Sequence, residues 1–118
     1  MDGIVNKNKS RTYTVSYDFI HYDIPTKIVL CRYIEIKMKE NNWMTVANNP
    51  LNGLLLVADL MEEAFLQVES GETIQQEELQ LRQYMVDTLL KKIAATINQQ
   101  AKGNAQLIHS MGFKTTSV

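Results

Sequence analysis

The chain has 118 residues, 45% hydrophobic and 21% charged, with a formal net charge of −1 at pH 7. That length holds one domain, with a core that needs no metal or disulfide staple. The composition excludes intrinsic disorder, and the balanced charge excludes a global field steering the chain to nucleic acid or an anionic membrane.

Cys31 is the single cysteine, so it makes neither an internal disulfide nor, by itself, a cysteine metal site. No run approaches the roughly 18 apolar residues of a membrane span. Met1 to Arg11 lacks the apolar core of a signal peptide. The expected compartment is the cytoplasm, and no membrane partner is expected.

Residues 1–24 read as an N-terminal arm. Its first part carries Lys7, Lys9 and Arg11 among polar residues. Nucleic-acid binding would need aromatics among them or a basic face elsewhere, so a solvated tail is the expectation. Residues 12–24 then alternate, with Tyr13, Val15, Tyr17 and Phe19 on one parity and Thr12, Thr14, Ser16 and Asp18 on the other. Period two with aromatic and β-branched residues predicts an extended, half-buried segment. Tyr13, Tyr17, Phe19 and Tyr22 are candidate interaction residues. They are expected to pin the arm to a core or to a second subunit rather than to form a ligand platform.

Residues 25–41 carry two patterns. Pro25 suits a first helical turn, and Ile28, Cys31, Ile34 and Met38 would share a helical face. Yet Ile34, Ile36 and Met38 also alternate with Glu35, Lys37 and Lys39, a strand signature that would make a hairpin with residues 12–24 and an α+β fold. As a helix the segment is apolar almost all round, which predicts cover on two sides. Residues 42–50 form a loop in which Trp43, the single tryptophan, is a further candidate interaction residue or a plug for one end of the core.

The second helix has the clearest limits: Asn49 as N-cap, Pro50 at the first position and Gly71 at the left-handed end. Leu54, Val57, Ala58, Met61, Ala64, Phe65 and Val68 form its core stripe over about 31 Å. The third starts at Thr73, with Gln76 completing a capping box. Its core face is Leu79, Val86, Leu89, Leu90, Ile93, Ala94, Ile97 and Ala101. At about 42 Å it outreaches the second helix, and the surplus needs cover. Asn104 caps a last short helix that Gly112 ends, with Phe113 placed for the contact such endings carry. Residues 114–118 read as a polar tail. An antiparallel pair turning at Gly71 is expected to bring Glu62 and Glu63 toward the basic end of the third helix.

The chemistry-bearing residues form no motif. His21 and His109 lie in neither HExxH nor HxxxH spacing. Glu62–Glu63 and Glu77–Glu78 are helical neighbours pointing about 100° apart, so neither is a carboxylate dyad. No Glu-x-x-His pair of a di-iron bundle is present, nor a phosphate loop or nucleophile elbow. Cys31, in the most apolar stretch, is expected to be an inert core thiol. No catalytic residue, metal ligand or cofactor is assigned.

Residues 27–113 resemble an uncharacterised family of small bacterial helical domains known mainly from Bacteroidetes. The resemblance rests on Asn41–Asn42–Trp43 after a first helix, Asn48–Asn49–Pro50 in a loop, the helix 51–71, and a short helix between Gly103–Asn104 and Gly112–Phe113. It implies a helix over residues 27–41. Members often precede a fibronectin type III-like domain. No activity comes with the family.

Together these readings predict an all-α antiparallel bundle over residues 25–113, with three long helices and one short C-terminal helix, an extended arm before it and a short tail after it. The expected function is a non-catalytic protein–protein interaction or assembly module, a homo-oligomer or the companion of a protein partner. The alternative is a small-molecule-binding domain or enzyme with a pocket lined by Tyr13, Tyr17, Trp43 and methionines.

Overall fold

The computed structural model describes residues 11–41, 48–71 and 76–118. In order it runs β1 (Tyr13–Val15), a 3-10 turn (Asp18–His21), α1 (Ile24–Glu40), α2 (Asn48–Glu69), α3 (Gln76–Ala101), α4 (Ala105–Ser110) and β2 (Thr115–Ser117). The class is all-α: among the described residues, a bundle of three long helices and one short one, with a single two-stranded ladder.

Asp23 opens α1. Its carboxylate accepts from the Thr26 N–H at 2.9 Å, which satisfies a first-turn donor, and Pro25 fills a position where no N–H is needed. The alternation over residues 33–39 does not yield a strand. Ile28, Cys31 and Ile34 face the core, while Ile36 remains on the outside of the same helix, so the period-two pattern records two different helical faces. α2 begins at Asn48, a turn-start one or two residues ahead of the expected position. The expected cap at Thr73 and the loop tryptophan Trp43 lie outside the described residues.

The core joins Ile34 and Cys31 of α1, Leu54, Ala58, Met61 and Ala64 of α2, and Val86, Leu90, Ile93 and Ile97 of α3, all essentially without solvent contact. α2 and α3 are antiparallel. The Arg82 guanidinium donates to the Leu60 carbonyl at 2.7 Å, and Leu89 lies 3.7 Å from where a Cβ on Gly53 would stand.

The surplus length of α3 is covered from within the chain. The Val15 N–H donates to Asn98 Oδ1 at 2.8 Å and the Tyr13 N–H to the Gly103 carbonyl at 3.1 Å, which lays β1 over the end of α3. Asn41 extends the clamp, its side-chain N–H donating to the Lys37 and Ser110 carbonyls, each at 2.9 Å.

Two terminal expectations differ from what is seen. Residues 12–24 are extended only over Tyr13–Val15. The chain then turns, with the Ile20 N–H on the Tyr17 carbonyl and the Tyr22 N–H on the Phe19 carbonyl, because that turn swings the Phe19 ring into the core against Phe113, 6.0 Å centroid to centroid. Residues 115–117 are not a free tail: they pair antiparallel with β1 in the register Tyr13–Ser117, Thr14–Thr116 and Val15–Thr115.

Gly112 has φ +93°, and a Cβ there would stand 3.1 Å from the Tyr33 ring. Gly71 has φ +80° with nothing within 4 Å. Gly112→Ala should therefore lower stability by about 2–3 kcal/mol, joining backbone strain to a steric conflict, and Gly71→Ala by only about 1–2 kcal/mol. Urea unfolding midpoints at unchanged slope measure the difference.

Candidate functional site

The one buried charge in the described core is Lys27, whose side chain has no exposed surface. Its position in the first turn of α1 aims it across the bundle at Asp87 of α3. The ammonium donates to Oδ2 at 3.0 Å and stands 2.9 Å from Oδ1, where charge rather than an aligned hydrogen bond does the pairing. Cys31 lies one turn along the same face. Burial, reinforced by the Asp87 carboxylate, pushes its thiol up to about 12. At neutral pH it is a protonated core side chain, with none of the thiolate character that nucleophilic work requires. Among the described residues no group of three or more His, Cys, Asp or Glu converges to hold a metal ion.

Outside the core, two apolar surfaces stand open among the described residues. The first lies along α1, where Val29 (67% exposed), Tyr33 and Ile36 recur at i, i+4, i+7. Beside it a groove of about 610 Å³ is walled by Tyr22, Val29, Tyr33 and Phe113, with His109 and Lys114 at its edge. Lys114 lies 5.6 Å from the Tyr22 ring centroid and 3.9 Å from Asp18 Oδ2. Contact with the Tyr22 hydroxyl, and then the Asp18 carboxylate, holds it above its ordinary value. His109 Nε2 is 3.2 Å from Thr115 Oγ1. The charges flanking the α1 stripe are paired locally, Lys39 with Glu35 at 2.9 Å and Lys37 with Glu40 at 3.6 Å.

The second surface is the outer face of the α2–α3 hairpin. Leu56 (63% exposed) and Leu60 come from α2, and Leu81, Tyr84 (68% exposed) and Met85 from α3. Arg82 crosses the seam between them, held by Glu78 at 2.9 Å and the Leu60 carbonyl at 2.7 Å.

The aromatic residues singled out in the sequence do not assemble into one site. Phe19 is enclosed in its own core, with the half-exposed Tyr17 at 5.5 Å. Tyr13 packs partly buried near Arg11, Lys102 and Asn104, and of the described candidates Tyr22 reaches the groove. Trp43 lies outside the described residues. Among the described residues, Met61 and Met111 are core, Met85 is exposed, and no methionine lines the groove. Glu62 does not approach the basic end of α3; it meets Arg32 of α1 at 2.7 Å, with Asp59 of α2 at 3.4 Å from the same guanidinium. The reason is the hairpin itself, which sets residue 62 level with residue 80 at the acidic start of α3. Lys27 and Asp87 were readable in principle, since each places a charge on an otherwise apolar helical face.

No family model, curated protein or solved structure matches this chain.

Removing one partner of the buried pair leaves an uncompensated charge. Lys27→Met should cost about 3–5 kcal/mol, and Lys27→Met with Asp87→Leu should recover most of that loss, read by urea unfolding of both variants. The thiol gives a second test. Its proton is held more tightly folded than unfolded, so its contribution is complete below its ordinary value of 9.0 and is lost as pH rises toward about 12. Stability should fall with pH across that window, and less steeply in Cys31→Ala.

Proposed function

We propose that this chain is a non-catalytic protein–protein interaction module that self-associates in the cytoplasm, in the manner of a small bacterial helical assembly domain. The observation that carries the reading is the arrangement of exposed large apolar side chains. Val29, Tyr33 and Ile36 form one stripe, and Leu56, Leu60, Leu81, Tyr84 and Met85 form one patch. Single exposed apolar residues are ordinary on any monomer, but contiguous ones rimmed by charge are the mark of an interaction surface.

The non-catalytic half rests on the core. Lys27 and Cys31, the nucleophile-bearing side chains there, are sealed from solvent, one in an ion pair and the other with a raised thiol. The described helices include none long and apolar enough to cross a membrane.

A second reading is supported by the groove on α1. Its aromatic walls with His109 and Lys114 at the edge suit a small apolar molecule with an anionic end. It predicts chemical-shift changes at Tyr33 and Phe113 on titration with medium-chain carboxylates, and none with the corresponding alcohols.

For the leading reading the measurement is solution mass by light scattering at micromolar concentration. A species heavier than the 13.5 kDa of one chain is expected, and a strict monomer at every concentration would overturn it. Deleting residues 1–24 is not a usable control, because Val15 and Phe19 belong to the core. Point changes on the exposed faces are.

A further inference from the structure

The patch on α2 and α3 is flanked by charges of opposite sign on its two sides. Toward the Gly71 turn stand Glu63 and Glu77; in the other direction along α3 stand Lys91 and Lys92, all four exposed. None of them has a salt-bridge partner among the described residues. At about 1.5 Å per residue, Glu77 lies roughly 10 Å from the level of Tyr84, and Lys92 roughly 12 Å from it on the opposite side. Glu63 falls level with residue 79, because Leu60 is level with Arg82.

This spacing has a symmetry consequence. A two-fold axis perpendicular to the helices near Leu60 and Tyr84 exchanges the acidic and basic sides. We propose that a second copy of this chain docks antiparallel on the outer α2–α3 face, burying Leu56, Leu60, Leu81, Tyr84 and Met85 of both copies against one another, with Glu77 of each facing Lys91 and Lys92 of the other. A two-fold interface uses the same patch on both subunits and must be complementary to itself, which Glu77 and Lys91, each seven positions from Tyr84 along α3, satisfy around an apolar centre. An unrelated partner would impose no such equality.

The centre of the patch is prepared for burial. Arg82, its one central charge, already has Glu78 and the Leu60 carbonyl as partners, so docking leaves no unpaired cation there. Tyr84 offers the large amphipathic ring that anchors interfaces. The α1 stripe lacks this pattern, since its flanking Lys and Glu residues are paired within the helix.

The inference rests on the assembly reading above and specifies its partner and face. The experiment uses the full chain and two charge-reversed forms, Lys91→Glu with Lys92→Glu, and Glu77→Lys, in light scattering and sedimentation at low and high salt. Each reversed form alone should dimerise at least 10-fold more weakly than the parent. An equimolar mixture should restore a one-to-one dimer near parental affinity, since every cross-contact is again of opposite sign. Raised salt should weaken the parental dimer and relieve the reversed ones. Restoration on mixing cannot come from a folding defect in either form. A parental dimer indifferent to both reversals, or one lost on Tyr33→Glu while Tyr84→Glu leaves it intact, overturns the proposed face and keeps the assembly reading. A parental monomer overturns both.

Discussion

The ion pair between Lys27 and Asp87 is the contact on which the placement of α1 depends. α2 and α3 form a hairpin with a long apolar seam, and that seam alone would tolerate several positions of a third helix apolar on most sides. A fully buried ammonium accepts one position only, where a carboxylate meets it. Apolar packing is non-directional, whereas an unpaired buried charge is costly, so the pair selects the register. With α1 set, Arg32 reaches Asp59 and Glu62, Asn41 reaches the Ser110 carbonyl, and Tyr33 comes to rest over Gly112.

That choice of register decides which surface is left over. Ile28, Cys31 and Ile34 go inward with Lys27, so Val29, Tyr33 and Ile36 must stay outside. On the hairpin, α1 covers one side and β1 with α4 the end of α3, while the other side keeps Leu56, Leu60, Leu81, Tyr84 and Met85 in solvent. The reading of the chain as an assembly module follows from this division. It draws on surface the core did not use, not on any arrangement of reactive groups.

The helices were legible because their limits are written in local chemistry: Pro25 at a start, Gly71, Gly103 and Gly112 at positive-φ ends, and core stripes at helical spacing in α2 and α3. What was not legible depends on distance along the chain. Thr115–Ser117 are short polar residues whose strand partners lie about a hundred positions earlier, and nothing in their neighbourhood announces a pairing. Glu62 was assigned to the wrong neighbour because charge blocks show sign but not level along a hairpin, and level is set by where the turn falls. The alternation over residues 33–39 misled for a related reason. A helix with one buried and one open apolar stripe carries period-two fragments without being a strand. Of the five aromatic candidates, Phe19 became core and Tyr22 reached the groove. The outer α2–α3 face was visible only as apolar residues at off-core positions, which sequence spacing alone does not distinguish from filler.

The pairing of β1 with β2 has a mechanical consequence. Because the strands are antiparallel, Thr12 and Val118 sit side by side, joined by a hydrogen bond of 3.1 Å from the Val118 N–H to the Thr12 carbonyl. A force applied at these two points would load the rungs one after another, starting with that bond, as a zipper opens, instead of shearing all of them together. The ladder would peel first and expose the end of α3 while the α2–α3 hairpin stayed intact. Tension between its two strands would thus be felt first by β1 and last by the face on which a second copy would dock.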